Sequence, residues 1–217
     1  MSTFSSLLQV LSNPAHLRSL LSFDKKGYLE DIGWFKAFDS KSPVDRDGNP
    51  IPWVTYSFID FIKERLNKQH TVFEFGSGNS TYFYAKYAGI VVSVEHDKEW
   101  FEKIEKSEAK PENSELIFCE LVRGGDYCHM PLKLEEKFDI VIVDGRDRVN
   151  CCKQAVAALS DNGVVVLDDS ERNDYKEGVE FLISKGFKHL LFSGISPGLF
   201  YRKSTSVFYK ADNCLDI

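Results

Sequence analysis

The chain has 217 residues and a net charge of −6; hydrophobic residues make up 43% of it and charged residues 28%. This composition is ordinary for a globular domain with a full core, and the acidic balance argues against a general nucleic-acid binder, which needs a basic surface. The five cysteines are odd in number and form no Cys-x-x-Cys pair, which disfavours a zinc site or a disulfide framework and indicates a reducing, cytoplasmic compartment.

The first 50 residues precede the regular part of the chain, and we predict that they form a helical appendage or lid. Asn13-Pro14 interrupts an early helical pattern, and residues 42–50 form a turn-rich connector. We therefore place the main domain at residues 51–217. No basic segment precedes the first apolar residues and no apolar stretch approaches 18 residues, so neither a signal peptide nor a membrane-spanning helix is expected.

From residue 56 onward, the hydrophobic pattern alternates between helical and extended periods. Apolar spacing of three and four residues predicts helices at 56–68, 80–87, 98–109, 151–159 and 175–185. Apolar runs predict strands at 71–75, 90–95, 116–122, 138–144 and 163–168. Two further strands, 189–193 and 204–210, have no helix between them and predict an antiparallel hairpin. The pattern indicates an α/β fold with a doubly wound, mostly parallel seven-stranded sheet.

Acidic residues stand at the ends of the predicted strands, where an open parallel sheet binds its ligands. They are Glu74, Glu95, Asp144 and the pair Asp168-Asp169. A carboxylate at a buried strand end needs a partner, because desolvation disfavours its charge. Helix capping is the alternative explanation for Asp144 and Asp169.

The loop after the first predicted strand indicates which ligand is bound. It reads Glu74-Phe75-Gly76-Ser77-Gly78-Asn79-Ser80, so it lacks the third glycine of a dinucleotide fingerprint. Glu74 would repel a pyrophosphate but could pair with an ammonium group. S-adenosylmethionine carries an ammonium and a sulfonium and no phosphate.

Taken in their order along the chain, these motifs resemble those of the class I S-adenosylmethionine-dependent methyltransferases, over about residues 50–210. The acid and Gly-x-Gly of that family match Glu74, Gly76 and Gly78, and the acid that holds the ribose hydroxyls matches Glu95. The resemblance implies the Rossmann-like methyltransferase fold and S-adenosylmethionine as cofactor. The implied cofactor-binding residues are Glu74, Gly76, Ser77, Gly78, Ser80, Glu95, His96 and Asp144. Trp100 could lie against the adenine or belong to the core.

The later strand ends also resemble the metal-assisted, catechol-type O-methyltransferases. That resemblance implies a divalent cation (Mg or Mn) held by Asp144, Asp168 and Asp169, which binds and activates the acceptor hydroxyl. Asp169 stands where that subgroup has asparagine. The alternative is that Asp144 faces the cofactor and the Asp168-Asp169 pair caps the next helix. Asp144 is the first candidate base, followed by Asp168, Asp169 and His129, which we place in a loop.

Arginines follow the fourth and fifth predicted strands, at positions 146, 148 and 172. Guanidinium groups bind carboxylates and phosphates well, so these arginines favour an anionic acceptor such as a uronic acid or phosphorylated sugar. The alternative is that the arginines pair with Asp147 and Glu171 of the protein itself. Asp144, Asp168 and Arg146 are thus the predicted catalytic residues. The arrangement loosely resembles glycan-modifying enzymes of polysaccharide biosynthesis, which implies O-methylation of a small molecule or glycan. The alternatives are a Rossmann enzyme dependent on NAD or a nucleotide sugar, and a non-catalytic protein that keeps the fold.

Overall fold

The computed structural model of the protein describes residues 12–25 and 27–217, and within them seven strands form one sheet. The strands are β1 (Thr71–Phe75), β2 (Ile90–Glu95), β3 (Ser114–Phe118), β4 (Phe138–Val143), β5 (Leu159–Asp168), β6 (Lys188–Gly194) and β7 (Lys203–Tyr209). Their order across the sheet is β3-β2-β1-β4-β5-β7-β6. The first five strands are parallel, and β7 lies antiparallel between β5 and β6. This confirms the predicted fold class and the closing hairpin.

Helices cover both faces of the sheet. They are α1 (Pro14–Lys25), α2 (Tyr28–Asp31), α3 (Trp34–Ser40), α4 (Tyr56–Arg65), α5 (Asn79–Tyr87), α6 (Lys98–Glu105), α7 (Asp126–Lys133), α8 (Arg148–Ala158) and α9 (Lys176–Ser184), with a 3-10 turn at Asn173–Tyr175. Strand side chains alternate between two core clusters: Ile140 and Ile142 pack with α4 and α5, whereas Val141 and Val143 pack with α7 and α8. The central strands read as continuous apolar runs because both of their faces are buried.

The structure corrects several predicted boundaries. Helices α4 and α6 end earlier than predicted, and β3 covers 114–118 rather than 116–122. Strand β3 is at the edge of the sheet and its last paired residue is Phe118, opposite Glu95, so the apolar residues 121 and 122 extend into an exposed loop. The segment around His129 is helix α7 rather than a loop. Its Pro131 disfavours a helix in isolation, but Tyr127, Cys128 and Pro131 are buried against the sheet.

Part of the predicted N-terminal appendage packs into the main core. Residues 1–11 of it lie outside the described residues, and its division from the rest of the chain at residue 50 stays a prediction. Trp34 and Ala37 of α3 are buried, and the Trp34 indole donates a hydrogen bond to the Leu199 carbonyl at 2.9 Å. Asn79, at the start of α5, donates to the Pro43 carbonyl at 2.8 Å. The segment before residue 50 therefore contacts the helix that follows the glycine loop.

The five cysteines are all free thiols. Among the described residues, no helix combines the length and the apolar character needed to cross a membrane.

Candidate functional site

A cavity of about 270 Å³ lies at the carboxyl ends of β1, β2 and β4. The loops after these strands supply its walls, because parallel strands end at the same edge of the sheet. Its lining residues are Glu74, Phe75, Gly76, Ser77, Ser80, Glu95, His96, Asp144, Gly145, Arg146 and Arg148. The structure thus brings together every residue predicted to bind the cofactor except Gly78.

Glycines let the loops after β1 and β4 touch at the floor of this cavity. Gly76 has a φ of 98° and Gly78 a φ of 149°, a range that side chains other than glycine rarely adopt. A Cβ on Gly145 would overlap the Tyr127 hydroxyl and would lie 2.9 Å from the Phe75 carbonyl carbon and 3.0 Å from the Gly76 nitrogen. Glycine at position 145 therefore leaves room both for the backbone of the loop after β1 and for the Tyr127 hydroxyl, a role that the sequence pattern did not indicate.

Glu74 is a buried acid at the end of β1, with 1% of its surface exposed. Thr81 Oγ1 donates to its Oε2 at 2.7 Å, and Ser93 Oγ donates to the same oxygen at 2.9 Å. Burial raises the pKa of Glu74 from its ordinary 4.5 to about 7, although these hydroxyls and Ser80 oppose the rise. Because its partners are hydroxyls, Glu74 offers the cavity a carboxylate that a cationic ligand could pair with.

Glu95 is held at the end of β2 by three hydrogen bonds. Its Oε1 accepts hydrogen bonds from the backbone nitrogens of His96 at 2.7 Å and Asp97 at 2.9 Å, and lies 2.9 Å from His96 Nδ1. Its Oε2 accepts from Ser77 Oγ at 3.0 Å. This arrangement orients the carboxylate before any ligand arrives, and Oε2 keeps a lone pair for a further donor.

Trp100 lies over the glycine loop and not in the core. Its side chain is 38% exposed, its indole nitrogen donates to the Ser77 carbonyl at 2.9 Å, and a Cβ on Gly78 would lie 3.5 Å from its ring. The core location is therefore wrong, and contact of Trp100 with an adenine stays a prediction, since Trp100 contacts the glycine loop without lining the cavity itself.

A cluster of buried ion pairs adjoins the cavity at the ends of β4 and β5. Arg148, which is 9% exposed, places Nη2 at 2.8 Å from Asp144 Oδ1 and Nη1 at 3.4 Å from Asp169 Oδ2. Lys203, which is 5% exposed, places Nζ at 2.6 Å from Asp168 Oδ2 and 3.0 Å from Asp169 Oδ1. Burial alone would lower the pKa of both cations, but the neighbouring carboxylates outweigh it and raise both.

The predicted metal ligands belong to this cluster, and their surroundings do not fit a divalent cation. Asp144, Asp168 and Asp169 already contact Arg148 and Lys203. In the part of the chain that the structure describes, no three His, Cys, Asp or Glu side chains are arranged to hold a metal ion. The capping alternative is also wrong for the Asp168-Asp169 pair, because α9 begins later, at Lys176.

The three arginines after the strand ends have different environments. Arg148 is buried in the ion-pair cluster, and Arg172 contacts Asp169 Oδ2 at 2.8 Å. Arg146 is exposed and lines the cavity. The predicted base Asp168 is 1% exposed and does not line the cavity, whereas Asp144 does. His129 also lies outside it, with Nδ1 2.8 Å from the Gly125 carbonyl.

A second cavity, of about 320 Å³, adjoins the first and shares Arg146 and Arg148 with it. The loops after β3, β4 and β5 form it, and its lining residues are Leu121, Arg123, Arg146, Asp147, Arg148, Val149, Asp174 and Tyr175. The Asp147 carboxylate is only 5% exposed: its Oδ2 accepts from the Gly124 nitrogen at 2.8 Å, its Oδ1 accepts from Asn150 at 2.9 Å, and Arg123 Nε lies 3.8 Å from Oδ1. The exposed charges of this cavity are therefore those of Arg123, Arg146 and Asp174.

No protein-family model and no curated protein matches the chain. Among solved structures, cofactor-bound Rv0187 from MTB is 16% identical with a TM-score of 0.56, over 93% of this chain and 99% of that one. SMU.1697c from Streptococcus mutans, in complex with SAH, is 15% identical with a TM-score of 0.50, over 70% and 94%. An rRNA methylase from Streptococcus thermophilus is 19% identical with a TM-score of 0.53, over 70% and 92%. At these identities the likeness shows a shared fold, the Rossmann-like fold of methyltransferases.

Proposed function

We propose that the protein is an S-adenosylmethionine-dependent methyltransferase whose methyl donor binds in the cavity at the ends of β1, β2 and β4. The observation that carries this proposal is that Glu74, Glu95 and the glycine loop line one cavity. In it, Glu95 accepts from the ribose hydroxyls and Glu74 pairs with the ammonium group. The SAH bound to the Streptococcus mutans protein of the same fold supports this choice of ligand.

Methyl transfer from a sulfonium requires alignment of donor and acceptor and, for a hydroxyl acceptor, removal of a proton. In our proposal the reaction is an O-methylation, and Asp144 orients the acceptor hydroxyl and takes its proton. Asp144 lines the cavity, its side chain is 22% exposed, and Arg148 holds it at 2.8 Å. Asp168 is buried and paired with Lys203, so we assign it a supporting role behind the site.

The acceptor that we propose is a small molecule or glycan that carries a negative charge. It would occupy the adjoining cavity of about 320 Å³, with Arg146 between the two cavities. No carboxylate lies within ion-pairing distance of the Arg146 guanidinium among the residues that the structure describes, whereas Arg148 and Arg172 are already paired. The rRNA methylase of the same fold makes RNA a second candidate, which the net charge of −6 disfavours.

Calorimetric titration with S-adenosylmethionine and with SAH tests the donor site. We expect binding of both, and Glu95→Gln should weaken it by about tenfold or more, because one charged hydrogen bond is worth about 1.5–3 kcal/mol. Glu108→Gln, at an exposed helix-flanking position, is the matched control and should bind as the wild type does. Absence of binding heat at several temperatures would reject the proposed donor.

A panel of paired acceptors tests the substrate class, with transfer of labelled methyl as the readout. The pairs differ by one carboxylate or phosphate, such as glucuronides against glucosides, and a short RNA is included. Arg146→Gln should lower kcat/KM about tenfold for anionic acceptors and leave neutral ones unchanged. Arg46→Gln, an exposed arginine outside both cavities and outside the ion-pair cluster, is the control. Equal losses for both members of each pair would contradict an anion-binding role.

Two alternative functions have separate readouts. A Rossmann enzyme dependent on NAD or a nucleotide sugar should bind that nucleotide in competition with SAH; Glu74 in the cavity argues against a pyrophosphate there. A non-catalytic protein that keeps the fold should bind SAH and methylate no member of the panel.

A further inference from the structure

The Lys203 side chain is a buried cation surrounded by three oxygen atoms. Its Nζ lies 2.6 Å from Asp168 Oδ2 and 3.0 Å from Asp169 Oδ1, and it donates to the Trp53 carbonyl at 2.9 Å. Lys203 is the first residue of β7, two residues before Thr205, which pairs with Asp168 at the end of β5. Only 5% of Lys203 is exposed, so water contributes little to the stabilisation of its charge.

Two carboxylate oxygens and a carbonyl around one point are the type of ligands that a hard divalent cation prefers. Here the ammonium group holds that point, and Arg148 lies 3.8 Å from Asp168 and 3.4 Å from Asp169. Three aspartates therefore face two buried cations, and Arg172 adds a third at the edge of the cluster. A divalent ion could enter only by displacing Lys203, and the displaced ammonium would be left buried without its partners.

We propose that Lys203 is a built-in counter-ion that stands in the place of a divalent cation at the ends of β5 and β7. With Lys203 in place, the negative charges of Asp168 and Asp169 are balanced without a metal ion from solution. Lys203 also links the Asp168 carboxylate, whose other oxygen accepts from Thr205 Oγ1 at 2.8 Å, to the Trp53 carbonyl in the segment before α4. This inference concerns the ion-pair cluster alone, and it holds whether or not the cavity binds S-adenosylmethionine.

The test uses Mn²⁺ as the probe and compares the wild type with Lys203→Ala and Lys203→Met. Free Mn²⁺ is measured by its paramagnetic resonance signal, and the melting temperature is recorded in Mn²⁺ and in EDTA. Wild type should bind no Mn²⁺ at the cluster and melt identically in both. Lys203→Ala opens the space between the oxygens and should bind Mn²⁺ at least about tenfold more tightly than wild type does, with a rise in melting temperature. Lys203→Met fills that space with an uncharged side chain. It should bind no Mn²⁺ at the cluster and melt at the same temperature in Mn²⁺ and in EDTA.

Circular dichroism establishes that each variant is folded before it is titrated. Wild-type protein that binds Mn²⁺ stoichiometrically, or that loses thermal stability in EDTA, would overturn the proposal. A folded Lys203→Ala variant as indifferent to Mn²⁺ as the wild type would also overturn it. If Lys203→Ala does not fold, the measurements on the wild type decide. Absence of Mn²⁺ binding and equal melting temperatures in Mn²⁺ and EDTA support the proposal, and stoichiometric Mn²⁺ binding refutes it.

Discussion

Replacing Glu74 with glutamine should change how the stability of the protein depends on pH. Glu74 is 1% exposed and its carboxylate is hydrogen-bonded by the hydroxyls of Thr81 and Ser93. Glutamine has nearly the same shape, and its amide oxygen can accept from the same hydroxyls. The substitution therefore removes the titration of this position while most of the packing is kept.

The magnitude follows from the pKa of Glu74 in the folded and unfolded chains. Burial raises that pKa from 4.5 to about 7 on folding, and a difference of about 2.5 at about 1.4 kcal/mol per pKa unit amounts to about 3.5 kcal/mol in full, of which about 3 kcal/mol falls between pH 4.5 and 7.5. Between these values the folded protein binds a proton that the unfolded chain has lost. The free energy of unfolding of the wild type should therefore fall as pH rises from 4.5 to 7, and Glu74→Gln should lack this contribution.

Urea unfolding of both proteins at pH 4.5, 5.5, 6.5 and 7.5 measures the effect, since contributions from other titrating groups cancel in the difference. The stability of Glu74→Gln relative to wild type should increase by about 3 kcal/mol over this range. Glu108→Gln controls for the loss of one carboxylate at an exposed site and should show no such trend. A difference between Glu74→Gln and wild type that is constant with pH would refute the reasoning.

Three further substitutions test the packing around the site, each by urea unfolding at pH 7.5. Gly145→Ala should lower stability by about 1–3 kcal/mol, because the added Cβ meets the Tyr127 hydroxyl and the backbone of residues 75 and 76. Gly194→Ala, whose Cβ would meet only a hydroxyl at 4.0 Å, should have little effect, and equal losses would contradict the clash. Asp168→Asn should lower stability by about 3–5 kcal/mol, because the buried Lys203 loses the charge of its closest carboxylate, at 2.6 Å. A loss below about 1 kcal/mol would show that Asp169 alone is sufficient to stabilise Lys203. Thr81→Val removes the hydrogen bond to Glu74 and the acceptor for the Gly78 nitrogen, so it should lower stability by about 1–3 kcal/mol. An unchanged urea midpoint of unfolding would mean that water replaces the hydroxyl.

The sequence by itself determined the sheet and the acidic side of the cavity. Strands β1 and β2 have the predicted boundaries, because a buried parallel strand is a continuous apolar run that ends where turn residues begin. Glu74, Glu95 and Asp144 meet in one cavity because parallel strands present their carboxyl ends at one edge. These features depend on local patterns and on one topological rule, both of which can be read along the chain.

Only the tertiary structure decided which charges meet. Three aspartates at strand ends resembled a metal site because the sequence does not show which cations lie beside them. Lys203 comes from 35 residues further along the chain than Asp168 and reaches it because β7 pairs antiparallel with β5. Helix α7 likewise forms around Pro131 because its buried face packs on the sheet. Ion pairing and burial depend on distances between distant segments, and no local pattern encodes those distances.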